Sequence, residues 1–381
     1  MSYPLTLIRP KKKLHERVEQ LLSFADVGIN GDRPWDIHVH NDYFYVMVLH
    51  SGSLGLGETY MEKMWDSRQL DEFIYRVIKA DLPRKIHSSA DYLFLLQAIL
   101  MNLQSPSRAY EVGERHYDIG NDLYRLMLDR RMIYSCGFWK HATSLDEAQE
   151  AKLDMVCRKL GLTPGMRVLD IGCGWGGMAK FAAENYGVDV VGITISQEQA
   201  ALAKDRCTGL PIDIRLQDYR NLDGNFDRIL SLGMFEHVGY KNYRIFMATV
   251  HRLLKDNGLF LLHTIGNNQT QKTTDCWIHK YIFPNSMLPS ASQITRAYEE
   301  FFVLEDWHNF GADYDKTLMH WFDNFNESWQ TLEKSYDERF YRMWKYYLLS
   351  CAGSFRARKY QLWQIVLSPN GVPGGYMAHY K

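Results

Sequence analysis

The stretch "LDIGCGWGG", Leu169 to Gly177, completes the apolar run "MRVLDIG" and passes directly into "MAKFAAENYG". A buried strand that ends in clustered glycines and turns into a helix lets the backbone approach a ligand closely. The start of the helix adds free amides. Outward from this turn the chain alternates. "VDVVGITIS" reads as a second strand, "QEQAALAKDRC" as a helix, "IDIRLQD" as a third strand and "FDRILSLG" as a fourth. The helix around "RIFMATVHRLL" leads to a fifth strand, "GLFLLHTIG", and "FFVLEDW" and "YQLWQIVLS" complete the sheet on either side of a helical stretch. Such alternation predicts an α/β fold with a parallel, doubly wound, Rossmann-like sheet and its ligand at the carboxyl ends of the strands.

The glycines alone admit two ligands. Gly172, Gly174 and Gly177 satisfy the dinucleotide pattern G-x-G-x-x-G, whereas Gly172, Gly174 and Gly176 satisfy G-x-G-x-G, common in S-adenosylmethionine enzymes. Two details favour the second. Asp170 stands where it can meet the amino-acid end of a methionine, and the second strand ends in Thr194 and Ser196 rather than the acid that grips an NAD ribose. Glu198 and Gln199 suit the ribose, and Asp218 with Tyr219 suit an adenine-edge acceptor and a stacking wall.

The chain has 381 residues and a formal charge of −1, which argues against nucleic acid as a partner. Its six cysteines form no C-x-x-C pair and suggest neither a zinc site nor a disulfide framework, so a reduced cytoplasmic protein without a metal is expected. The apolar run "YLFLLQAILMNL" from Tyr92 is too short to span a bilayer, which makes the protein soluble or peripheral.

Up to about residue 104 the pattern is one of short helices. Leu14, Val18, Leu21, Leu22 and Ala25 share one helical face, and Leu70, Phe73, Ile74, Val77 and Ile78 share another. Between them, "GSLGLGETYMEKMW" reads as a tight glycine turn before a further helix. The polar break "QSPSR", Gln104 to Arg108, marks a boundary. The expected organisation is a small, mainly helical domain at 1–104, a linker at 105–115 and a catalytic domain at 116–381.

Several motifs together resemble the cyclopropane-fatty-acid-phospholipid synthases nearly end to end. They are "GSLGLGETYM", "HYDIGNDLY", "YSCGFW", "LDIGCGWGG", "GMFEHVG", "LLHTIG", "YIFPN" and "DWHNFGADYDKTL". The resemblance implies a lipid-engaging N-terminal domain and an S-adenosylmethionine-dependent methyltransferase domain. It also implies methylene transfer to a cis double bond of a phospholipid acyl chain. It carries cofactor contacts onto Tyr134, Ser135, Asp170, Gly172, Gly174, Trp175, Gly176, Thr194, Ser196, Gln199, Asp218 and Tyr219. A bicarbonate site falls on Cys136, Glu236, His263, Ile265 and Tyr314. A homodimer is implied as well.

An isolated alkene has no proton whose removal would make it a better nucleophile, so dry alignment against the sulfonium methyl must do the work. Aromatic faces stabilise the resulting carbocation without being alkylated. Tyr134, Phe138, Trp139, Trp175, Tyr281 and Tyr314 are candidates. Ring closure needs a proton acceptor, a role a bicarbonate can fill, with Glu236 as its orienting acceptor. His237, adjacent to Glu236, is expected to support the loop, and Cys136 to be a side wall rather than a nucleophile. Lys11, Lys12 and Lys13 are candidates for peripheral docking to a phospholipid bilayer or for a solvated face, and the Tyr92 run reads as core of the small domain before it reads as a membrane contact. The alternatives are a lipid or small-molecule methyltransferase that stops before ring closure, and a non-catalytic lipid-binding protein.

Overall fold

The computed structural model describes residues 11–81 and 119–378. The expected linker, the Tyr92 run and the first three residues of "HYDIGNDLY" lie outside the described residues, as do the side chains of Lys11 to Lys13. The described elements run α1 (Lys11–Ser23), β1 (Ile37–Val39), α2 (Tyr43–Met61), β2 (Trp65–Ser67), α3 (Leu70–Lys79), α4 (Asn121–Met127) and α5 (Leu145–Lys159). They continue with β3 (Arg167–Ile171), α6 (Gly177–Tyr186), β4 (Asp189–Thr194), α7 (Gln197–Arg206), β5 (Ile212–Leu216), β6 (Phe226–Leu232), α8 (Tyr243–Leu253) and β7 (Leu254–Asn267). The last are α9 (Cys276–Tyr281), α10 (Ala291–Tyr298), β8 (Val303–Asn309), α11 (Asp313–Glu327), α12 (Trp329–Leu332), α13 (Glu338–Arg356) and β9 (Tyr360–Ser368).

The main sheet has the order β5-β4-β3-β6-β7-β9-β8. Its first five strands are parallel, as the alternating pattern predicts. One strand corrects a wholly parallel expectation: β9 runs antiparallel to β7 and to β8, while β8 keeps the direction of the other strands. The reason is where α13 delivers the chain: Tyr360, at the start of β9, pairs with Asn267 at the carboxyl end of β7. A strand that begins at that edge can only run back down.

Strand alternation sorts the core into two layers. Val168, Leu230, Leu261 and Val366 face α5 and α6, packing with Leu153, Val156, Met178 and Ala179. Leu169, Ile229, Phe260 and Ile365 face the opposite layer, with Phe246, Val250 and Ile294. By the same alternation Asp170 on β3 and His263 on β7 fall on the α5 side.

The N-terminal helices share a third buried cluster with α11 and α13, in which Phe44, Trp65 and Phe73 meet Trp344, Tyr346 and Phe355. Arg356 clamps this junction, with Asp315 at 2.9 Å, Asp71 at 2.8 Å and Glu72 at 3.4 Å. Arg342 donates to the carbonyls of Tyr60 at 2.6 Å and Trp65 at 3.0 Å.

The glycines of "GSLGLGE" differ from expectation. They lie inside α2, and of them Gly52 alone leaves helical geometry, with φ 55° and ψ −127°. Their role is close approach. A Cβ on Gly55 would lie 2.1 Å from the Met47 carbonyl oxygen, and one on Gly57 would lie 2.4 Å from Trp277 Cδ1. Trp277 is fully buried, so Gly57→Ala is expected to cost about 1–3 kcal/mol by overpacking despite the better helix propensity of alanine. A lowered melting temperature, against little change for the exposed Ser53→Ala, checks this; equal melting would show that Trp277 moves aside freely.

Candidate active site

The glycine turn opens at the carboxyl end of β3. Gly172 and Cys173 donate to the Ile193 carbonyl at 2.9 and 3.0 Å, tying the turn to β4. Gly172, Gly174 and Gly176 have φ of 84°, 54° and 78°, the left-handed region that glycine adopts without penalty. A Cβ on Gly172 would strike Met234 at 2.8 Å, whereas Gly174 borders open space. The turn thus forms a cradle leading into the N-terminus of α6, at the floor of a pocket lined from β3, β4 and β6.

Ten of the twelve anticipated cofactor residues line this pocket: Tyr134, Ser135, Asp170, Gly172, Gly174, Trp175, Thr194, Gln199, Asp218 and Tyr219. The other two serve the frame. Gly176 caps α6, and a Cβ on it would lie 2.9 Å from Cys207 Sγ. The Ser196 hydroxyl caps α7 by accepting from the Gln199 amide at 3.3 Å. Thr194 Oγ1 donates to Gln199 Oε1 at 2.8 Å, so the tip of β4 is pre-ordered. Asp218 grips Arg220 with both carboxylate oxygens, at 2.9 and 2.6 Å; Oδ1 also accepts the Arg220 amide at 2.9 Å, and Oδ2 keeps spare acceptor capacity.

Asp170 is 2% exposed and its Oδ2 has no hydrogen-bond partner among the described residues. Burial raises its pKa to about 7, opposed by the positive charge of Lys152. A buried carboxyl oxygen facing a polar ligand pocket with its bond unmade suits the ammonium of a methionine. Arg220 and His237 also line the pocket, and the sequence reading had placed neither there. The His237 amide does support its loop, donating to Met234 at 2.9 Å, but the ring borders the pocket and burial lowers its pKa to about 4. Glu236 and His237 sit on a 3₁₀ turn at Phe235–His237 rather than on extended backbone.

Glu236 turns away from the pocket. Its Oε1 accepts from the Ile265 amide at 2.7 Å, while Oε2 has no partner among the described residues. Burial raises its pKa to about 7, with the Ile265 amide opposing. His263, two residues before Ile265, is 1% exposed. The Gln364 amide nitrogen meets its Nδ1 at 3.3 Å, and Nε2 has no partner among the described residues. With Gln364 donating, the ring proton resides on Nε2. Burial, with Lys152 and Lys159 nearby, holds the imidazole neutral. The site therefore offers an unused donor on His263 and an unused oxygen on Glu236. That set suits an ion carrying both an anionic oxygen and a hydroxyl, as bicarbonate does.

Cys136 and Tyr314 are organised around α11. Cys136 Sγ donates to the Gly137 carbonyl at 3.1 Å and lies 3.8 Å from Thr317 Oγ1, and burial drives its thiol pKa well up. Tyr314, one turn before Thr317, packs on Trp321 and Phe355. Of the candidate aromatics, Tyr134 and Trp175 line the cradle pocket; Phe138 packs on Phe310 and Trp139 stacks on His320.

Residues 104–365 match the model of the mycolic acid cyclopropane synthetase family. The cyclopropane-fatty-acyl-phospholipid synthase of Escherichia coli K12 is 54% identical over 96% of this chain and 96% of its own. A probable fatty acid methyltransferase of Pseudomonas putida is 38% identical over 66% of this chain and 67% of its own. Among solved structures, the cyclopropane synthase MmaA2 of Mycobacterium tuberculosis superposes with a TM-score of 0.65 at 32% identity, over 68% of this chain and 97% of that one. The mycolic acid cyclopropane synthase CmaA1, complexed with S-adenosylhomocysteine and CTAB, gives 0.64 at 32% identity, over 68% and 97%. With more than half of its length matched by the family model, above a cradle built for S-adenosylmethionine, the chain belongs to the mycolic acid cyclopropane synthetase family.

Proposed function

We propose that this protein transfers a methylene group from S-adenosylmethionine to the cis double bond of an unsaturated phospholipid acyl chain, giving a cyclopropane ring, S-adenosylhomocysteine and a proton. The observation that carries the reading is the near-complete-length match to the Escherichia coli synthase at 54% identity. Asp170, the glycine turn and the Thr194–Gln199 tip would hold the methionine and ribose ends of the donor, with Tyr219 walling its base. The buried, largely apolar surroundings exclude water from the alkene, which is what direct attack on the sulfonium methyl requires. Aromatic faces near Tyr134, including Trp321 at 5.1 Å, are suited to a cationic intermediate.

Bicarbonate, when bound, supplies a base for the proton lost on ring closure. Glu236 Oε2 would accept its hydroxyl and His263 Nε2 would donate to an anionic oxygen, with Cys136, Ile265 and Tyr314 bounding the site. The buried thiol of Cys136 has no thiolate character and no step to perform. Described helices include none long and apolar enough to cross a membrane, and the substrate lies in a bilayer. The enzyme would therefore work as a cytoplasmic, peripherally associated protein, as a homodimer, with the first 104 residues engaging lipid and 105–115 linking them to the catalytic domain. A second reading, methyl transfer without ring closure, is favoured by the fatty acid methyltransferase relative.

Incubation with unsaturated phospholipid vesicles and trideuteriomethyl S-adenosylmethionine separates the two. The cyclopropane product retains two deuterons and a methyl branch three, by mass spectrometry of the released fatty acids; a lipid left unlabelled would sink both. Glu236→Gln is expected to lower turnover by roughly 10²-fold while S-adenosylhomocysteine affinity, measured by calorimetry, stays within about twofold. In the parent enzyme at saturating donor, kcat should fall as pH drops through about 7, where Glu236 takes up its proton, and the Gln variant should lack that limb. Cys136→Ser should keep its initial rate within about tenfold. Complete loss with an unchanged melting curve would restore a nucleophilic role for the thiol.

A further inference from the structure

The inward stripe of α5 runs Leu145, Ala148, Gln149, Lys152, Leu153 and Val156. A lysine in the middle of a core-facing stripe is out of place on packing grounds, because an ammonium is costly to bury without a counter-charge. Lys159, two turns later on the same helix, meets that demand in the ordinary way, with Asp306 at 3.1 Å and His308 Nδ1 at 3.3 Å. Lys152 does not. It is fully buried, its Nζ donates to Ser135 Oγ at 2.9 Å, and no carboxylate pairs with it among the described residues. Gln149, one turn earlier, donates to the Ser135 carbonyl at 2.7 Å, so α5 holds that one residue at two points.

Ser135 and Asp170 both line the cofactor pocket, and Asp170 lies on the sheet face that α5 covers. We propose that Lys152 is a positioning residue for the donor site: its ammonium fixes Ser135 in the pocket wall and is the buried counter-charge that keeps Asp170 ionised to receive the methionine ammonium. The proposal rests on the cofactor reading above. The groups facing Lys152 are Asp129 from the loop after α4, Cys136, Asp170 from β3 and His263 from β7. Those facing Asp170 are Lys152 and the thiols of Cys173 and Cys207, which burial keeps protonated. Among the described residues, Lys152 is thus the cation acting on Asp170. Burial lowers its own pKa to about 8, so it stays charged across the neutral range in which Asp170 gains and loses its proton.

The test uses the full-length enzyme, S-adenosylhomocysteine as the probe, and calorimetry between pH 6 and 8. Wild-type affinity should fall as pH drops below about 7, because Asp170 then takes up a proton. Lys152→Gln keeps a donor for Ser135 and removes the charge. It should weaken binding about tenfold at pH 7, with the acidic loss of affinity moved to higher pH. The KM for the donor should rise while kcat at saturation stays within about threefold. Lys152→Arg should retain the wild-type pH profile. A Lys152→Gln profile superimposable on the wild type, or Gln and Arg variants equally weakened at every pH, would overturn the proposal, since a purely structural lysine gives the latter. If Lys152→Gln does not fold, Lys152→Arg decides: a wild-type pH profile supports the proposal, and an acidic loss of affinity moved to higher pH despite the retained charge overturns it. Absence of any S-adenosylhomocysteine binding by the wild type would remove the cofactor reading itself, and the lysine proposal with it.

Discussion

Two carboxyl groups buried with one oxygen each left unmatched are the constraint around which the rest of the catalytic half is arranged. Asp170 ends β3, and Glu236 follows the neighbouring β6. Withholding a hydrogen bond from a buried carboxyl is unfavourable, so such sites persist only where the surrounding fold over-determines them. Here the determinants are backbone. The glycine turn is tied to β4, and the Ile265 amide of β7 holds the other oxygen of Glu236. The surroundings of the two acids differ: Asp170 lines the large pocket, whereas Glu236 is not among its lining residues and is tied to the Ile265 amide.

The long helix α13 joins this catalytic edge to the N-terminal helices. On one flank its Gly353 lets the Asp71 carbonyl approach to where a Cβ would stand at 2.4 Å. On another, Tyr347 Oη meets Tyr134 Oη at 2.8 Å, and Tyr134 is part of the pocket wall. A displacement of α2 and α3 would therefore be felt at the pocket through one rigid helix and one hydroxyl pair.

Most of the sheet was legible because the short, nearly continuous apolar runs of "RVLDI", "DVVGIT" and "FDRILSL" and the glycine turn are local signals. What sequence spacing could not give was set by tertiary contact. The direction of β9 depends on where α13 ends. The glycines of α2 resemble a turn until Trp277, more than two hundred residues away, explains why Gly57 cannot carry a side chain. His237 borders the pocket because a 3₁₀ turn, not a strand, sets its direction. Lys152 sits in a helical stripe whose polar members look like interruptions until Ser135 is brought against them. The ion-site residues came from resemblance. Their unpartnered atoms became visible only once β7 and β9 were paired, placing Gln364 against Nδ1 of His263.

The placement of β9 between β7 and β8 has a consequence for synthesis of the chain. β8 leaves the ribosome about fifty residues before its described ladder partner exists, and waits as a strand with no neighbour. A strand made after both of its neighbours must then enter the interior of the sheet rather than add to its rim. The imidazole of His263 meets Gln364 only when β9 takes that place. Nascent chains halted before Tyr360 would lack two strands of order, not one, and would expose the apolar edge of β7 to any other strand in reach.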